Sequence, residues 1–185
     1  MNVWDADLYH HALDFAAAAH HGQKLPGQDL PYILHPCAVA AEVMAAITRR
    51  GDVVSPDLAV ACALLHDVVE DTPVTIEEVE RGFGAAIAKG VAALSKNPAL
   101  DDKRAKMMDS VVRIREQPKE VWMVKLADRI NNLREPPHYW SRAKVLAYRE
   151  EAVLLHEQLA SACPVLGPRL LVKIERYGQF AEGRD

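Results

Sequence analysis

Apolar residues along this chain recur at three- and four-residue intervals, and in no window do they alternate convincingly with polar ones. That periodicity predicts helices near residues 5–21, 36–50, 57–71, 75–82, 84–95, 101–117, 119–134, 139–160 and 164–180, with Pro and Gly concentrated between them. Thr75 followed by Glu78 makes a capping box for the fourth helix. No repeat and no low-complexity linker divides the chain, so the expectation is an all-α, single-domain helical bundle spanning 1–185.

Two of these helices have polar faces that need explaining. In the segment Ala59 to Thr72, steps of about 100° per residue put Leu58, Cys62, Leu65 and Val69 on one side. Measured from His66, Glu70 lies at about 40°, Asp67 at about 100° and Asp71 at about 140°, so three carboxylates and an imidazole share the other side. Carboxylates so close raise one another's pKa, and a bound divalent cation reverses that penalty. In Val124 to Leu133, Lys125, Asp128 and Asn132 fall within about 60° of arc, opposite Leu126, Ile130 and Leu133. His35 precedes Pro36, which restricts it to extended backbone and makes Pro36 a natural first helical residue. A histidine at that junction can project past the helix end.

Taken together, His35, His66, Asp67 and Asp128 are two imidazoles and two carboxylates. That donor set suits a six-coordinate ion, with Mn²⁺ first, Fe²⁺ and Zn²⁺ behind it, and Mg²⁺ disfavoured by the imidazoles. Such an ion keeps open positions and acidifies water, which makes hydrolysis of a phosphate ester or anhydride the first reaction class to consider. The alternative for each piece alone is an ordinary surface charge pair or helix end.

The patterns Ala19-His20-x-Gly22-Gln23, Pro31-Tyr32-Ile33-x-His35-Pro36, Ala63 to Thr72 with His66-Asp67-x-x-Glu70-Asp71, Phe83-Gly84 and Val124-Lys125-Leu126-Ala127-Asp128-Arg129 run in order along the whole chain. They resemble the hydrolase domain of the Rel/SpoT alarmone enzymes, in the HD superfamily of helical metal-dependent phosphohydrolases. The resemblance is greatest to the stand-alone small alarmone hydrolases related to metazoan SpoT homologues. It implies an HD-superfamily helical bundle that removes the 3′-pyrophosphate of (p)ppGpp, guanosine tetra- or pentaphosphate, to give GDP or GTP and pyrophosphate. By resemblance, manganese is held by His35, His66, Asp67 and Asp128, and Glu70 and Asp71 position or deprotonate the attacking water. Asn132 matches an asparagine near the ribose and 3′-phosphate. Lys125 either meets a phosphate or neutralises the acidic cluster, and Lys144 and Tyr148 fall in a stretch that faces the nucleotide.

The chain departs from the long Rel/SpoT enzymes in the loop Gln23 to Leu30, where those enzymes place an arginine or an Arg-Lys pair beside the guanine. Only Lys24 remains as a cation. A lysine stacks on a purine less well than a guanidinium, which leaves room for a different nucleotide, such as a 5′-nucleotide or a 2′-phosphorylated dinucleotide. A catalytically silent nucleotide-binding module is the remaining alternative, and the intact ligand and acid set counts against it.

A polyanionic substrate also needs cations, and Lys24, Lys96, Lys103, Arg104, Arg142 and Lys144 are candidates. His20 either borders the site or orders its loop. With 185 residues, half of them hydrophobic, the chain builds one core and has no room for a synthetase domain. A formal charge of −4 argues against nucleic acid as partner. The N-terminal stretch lacks a signal-peptide pattern, no apolar run reaches a membrane span, and Cys37, Cys62 and Cys163 show no metal or redox spacing, so a cytoplasmic protein is expected. The oligomeric state stays open.

Overall fold

The computed structural model describes residues 4–184, so the first three residues of the N-terminal stretch read above lie outside it. The described residues form helices α1 (Ala6–Ala19), α2 (Leu34–Arg50), α3 (Pro56–Leu65), α4 (Val68–Asp71), α5 (Ile76–Phe83), α6 (Ala85–Leu94), α7 (Lys103–Arg115), α8 (Lys119–Asn132), α9 (Arg142–Leu159) and α10 (Leu166–Tyr177), with short 3₁₀ turns at Ala160–Ala162 and Gly178–Ala181. Among them there is no strand, only an isolated antiparallel bridge between Lys24 and Pro31. The all-α expectation holds.

Helix ends follow local chemistry. Asp5 caps α1, accepting from the backbone N–H groups of Asp7 and Leu8. Thr75 and Glu78 form the reciprocal capping box, with Glu78 N–H to Thr75 Oγ1 at 3.3 Å and Thr75 N–H to Glu78 Oε2 at 2.8 Å. Asp102 and Ser141 cap α7 and α9, which is why those helices begin a residue or more after their predicted starts. Gly51 closes α2 at φ 68°, a left-handed conformation open to glycine without steric cost.

Helix α3 is the hub, packed against α1, α2, α6 and α8, while α8 also meets α9 and α10. Every residue from Leu58 to Leu65 is buried. An amphipathic face was expected for this stretch, and the structure corrects that. Leu58 to Leu65 contains no charged or strongly polar side chain, and its alanines let neighbours close in on all sides. The approach is tightest at Gly90 of α6, where a Cβ would lie 2.6 Å from Cys62 Sγ.

Two backbone expectations also fail. The predicted helix 57–71 is broken at His66 and Asp67, which form a turn between α3 and α4. His35 is helical rather than extended, because α2 starts at Leu34, with the His35 N–H bonded to Tyr32 O at 2.8 Å. Pro36 then sits within the first turn, where its missing N–H leaves no hydrogen bond unmade, and that outweighs the steric bias on the residue before it.

Candidate active site

The break after α3 builds the site. On an uninterrupted helix, His66 and Asp67 would diverge by about 100°. The turn instead converges them, with His66 Nε2 3.0 Å from Asp67 Oδ2. Helix α2 delivers His35 from one side, its Nε2 3.2 Å from His66 Nε2 and 3.5 Å from Asp67 Oδ2. The third turn of α8 delivers Asp128, whose Oδ1 lies 3.4 Å from His35 Nε2 and 3.9 Å from His66 Nε2. Ligand atoms of His35, His66 and Asp128 all fall within 4.8 Å of one another, and all three residues are buried.

The outer hydrogen bonds of the two imidazoles decide what their inner nitrogens can do. His66 Nδ1 faces the Ala63 carbonyl at 2.8 Å and donates to it. His35 Nδ1 faces the amide oxygen of Asn131 at 3.4 Å. Each acceptor fixes the proton on Nδ1, leaving both Nε2 lone pairs pointed at one another and at two carboxylates. Four converging lone-pair donors require a positive charge between them. Burial disfavours the His66 imidazolium, but Asp67 and Asp128 outweigh it and push that pKa up to about 9. The donor chemistry of His35, His66 and Asp128, with Asp67 beside the two histidines, therefore fits a divalent cation.

Around this cluster the protein arranges its own counter-charges. Lys125 Nζ bonds Asp128 Oδ2 at 2.9 Å, and Asn132 Nδ2 bonds Asp128 Oδ1. Burial opposes the charge on Lys125, but Asp128 raises its pKa above the ordinary value. Burial likewise opposes the Asp128 anion, yet Lys125 and the histidines hold its carboxyl well below the usual range. Lys125 both neutralises Asp128 and lines the cavity, a placement compatible with a mixed role. Tyr32 donates its hydroxyl to Asp67 Oδ2 at 2.6 Å and lies 3.4 Å from Asp71 Oδ2. Burial and Asp67 drive its phenol far above the ordinary pKa, so it stays a donor.

The cluster opens onto a cavity of about 610 Å³ between α4, α7, α8 and α9. Glu70 and Asp71 stand at its near side. Glu70 is ion-paired with Lys96 and also accepts the Lys96 backbone N–H at 2.9 Å. Asp71 has its carboxyl pKa raised by burial and by Asp67 and Glu70. Lys144 and Tyr148 line the far wall, where Lys144 Nζ sits 4.1 Å above the Trp140 ring and Trp140 meets Tyr148 edge-on at 5.3 Å. Lys103 and Lys106 complete the basic rim.

Not every expected residue is brought in. Lys24 does not line the cavity; it pairs with Asp29 in the loop closed by the Lys24 to Pro31 bridge. Arg104 and Arg142 are likewise outside its walls. His20 orders the loop, with Nδ1 2.8 Å from Gln23 Oε1 and its ring 4.8 Å from that of Tyr32. Gln23 in turn donates to the Asp71 carbonyl at 2.7 Å, tying the loop to α4. Sequence reasoning missed Asn131, Tyr32, Arg129 and Lys106. A signal existed for Asn131, which at three residues past Asp128 sits about 60° from it on α8.

Residues 12–165 match the HD domain family. The chain is 32% identical over 159 residues to the guanosine-3′,5′-bis(diphosphate) 3′-pyrophosphohydrolase MESH1 of Danio rerio, covering 82% of this chain and 84% of that protein. It is 36% identical over 146 residues to the Homo sapiens protein of the same name, covering 76% of this chain and 78% of that one. Among solved structures, a metazoan orthologue of SpoT described as hydrolysing ppGpp superposes with a TM-score of 0.80 at 24% identity, covering 95% of this chain and 98% of that chain. The latter establishes a shared fold.

Proposed function

The chain belongs to the HD domain family, in its stand-alone Rel/SpoT branch similar to MESH1, and from that membership we propose that it hydrolyses the 3′-pyrophosphate of (p)ppGpp, releasing GDP or GTP and pyrophosphate. The observation that carries this reading is the gathering of His35, His66 and Asp128, with Asp67 against both histidines, at one end of a nucleotide-sized cavity rimmed by lysines. Those four residues would hold the metal, with Mn²⁺ favoured by the mixed imidazole and carboxylate set. When bound, such an ion supplies Lewis-acid activation of phosphoryl oxygens and of water.

The chain's own groups perform the rest. Asp71, with its raised pKa and no cationic partner at hydrogen-bond distance among the described residues, is the proton acceptor for the attacking water. Glu70, pinned by Lys96, orients that water and keeps the lysine at the cavity rim. Lys103, Lys106 and Lys144 balance the phosphates, Asn132 addresses the ribose side, and Tyr148 forms the wall against the nucleotide. Tyr32 holds Asp67 in place through a short hydrogen bond.

The position of Lys24 favours a second reading of specificity. With that cation turned to Asp29 rather than to the cavity, base discrimination is weak, and a 5′-nucleotide or a 2′-phosphorylated dinucleotide becomes a competing substrate. No helix among the described residues is long and apolar enough to cross a membrane. We place the protein in the cytoplasm, where such nucleotides are found.

The test is to incubate metal-stripped protein with ppGpp, with and without Mn²⁺, and separate products by anion exchange. Manganese-dependent GDP and pyrophosphate support the proposal. Intact ppGpp beside verified bound metal redirects it to other phosphorylated nucleotides.

A further inference from the structure

Arg129 is an anomaly in the cavity wall. It is only 7% exposed, yet its Nε and Nη1 find no hydrogen-bond partner among the described residues. Its Nη2 reaches Glu151 Oε2 at 3.6 Å, an ion pair too long for a hydrogen bond. The guanidinium stacks 4.2 Å from the centre of the Tyr148 ring, and Arg129, Tyr148 and Glu151 all line the same cavity. A guanidinium carries five N–H donors, and leaving the three on Nε and Nη1 idle in a buried place costs more than a stacked ring returns. Native proteins tolerate such a group where a ligand completes it.

Resting on the proposed phosphohydrolase reading, we propose that Arg129 is a substrate-binding residue that receives a phosphoryl group of the nucleotide, and that Glu151 holds its place until substrate arrives. Three features support this. Arg129 directly follows Asp128 on α8, so its charge is fixed beside the metal cluster rather than on a mobile loop. Tyr148 stacks on the guanidinium 4.2 Å from its ring centre and holds it in the cavity wall. Glu151 is the weaker-held partner, with a side chain 37% exposed against 8% for Arg129, so an incoming phosphate displaces the carboxylate into solvent. A phosphate matches the planar fork of an arginine bidentately, which the stretched Glu151 contact does not.

The discriminating variant is Glu151→Gln. If Glu151 only props up Arg129, removing its charge leaves binding equal or weaker. If it competes with substrate, removing it strengthens binding. Inorganic pyrophosphate would be titrated calorimetrically into Mn²⁺-loaded wild-type protein, Glu151→Gln and Arg129→Lys, with KM and kcat for ppGpp measured alongside. The expected result is about threefold to fivefold tighter pyrophosphate binding and a matching fall in KM for Glu151→Gln. Arg129→Lys should bind about tenfold more weakly, with KM affected more than kcat. Unchanged or weaker binding in Glu151→Gln overturns the proposal, whether or not Arg129→Lys folds. Wild-type protein that binds pyrophosphate without turning over ppGpp refutes the functional reading, and the binding comparison still decides the role of Arg129.

Discussion

Lys125→Met separates the electrostatics of the protein from those of its metal. The ammonium lies 2.9 Å from Asp128 Oδ2, with side chains only 17% and 8% exposed. Removing one partner of a buried pair costs about 3 kcal/mol, at the low end of the usual range because the cavity gives the lysine some access to water. That full cost falls on the metal-stripped protein, where Lys125 is the nearest fixed cation to Asp128. With a divalent ion held by Asp128, the carboxylate is already compensated and the same substitution costs about 1–1.5 kcal/mol. The difference of about 1.5–2 kcal/mol must appear as metal affinity, so Lys125→Met should bind Mn²⁺ about tenfold to thirtyfold more tightly while being less stable without it. Denaturant unfolding of both variants with and without Mn²⁺, together with a chelator competition, closes this cycle. Equal destabilisation in both states, or weaker metal binding, would refute the reasoning and make Lys125 an orienting group for Asp128.

Other outcomes follow from the same geometry. Asn131→Ala removes the acceptor that fixes the His35 tautomer and should weaken Mn²⁺ binding about tenfold, measurable by the same competition; the long 3.4 Å contact sets this at the low end of such effects. Gly90→Ala should destabilise by about 1–3 kcal/mol through the clash with Cys62, and Cys62→Ala in the same chain should recover part of it in thermal unfolding. Burial raises the Cys62 thiol from 9.0 to about 12, so the folded protein keeps a proton that the unfolded chain releases. Its contribution to stability is therefore complete below pH 9 and is lost as the pH rises toward 12; native protein at pH 8 should leave this thiol unreacted with a disulfide reagent.

The candidate ligands His35, His66, Asp67 and Asp128 stood out in the sequence because two imidazoles and two carboxylates, with Glu70 and Asp71 close by, are chemically costly together. The sequence also disclosed the helical class, since periodicity and caps such as Thr75 with Glu78 are local properties. The break at His66 was hidden. The apolar run before it and the acidic run after it contain no Gly or Pro, so no local breaker marks the turn. Arg129 is visible in the sequence only as the last residue of the Val124 to Arg129 pattern, because its contact with Tyr148 comes from α9, nineteen residues later in sequence. The position of Lys24 depends on a loop closed by one isolated bridge, which leaves no periodic trace.

The central claim is that one buried cluster holds the metal while a separate acidic pair serves the water. The most direct measurement is bound Mn²⁺ together with the rate of ppGpp turnover in wild type, Asp67→Ala and Glu70→Ala. Asp67→Ala should lose metal and activity together, while Glu70→Ala should keep its metal and lose turnover. Activity retained in both variants would contradict it.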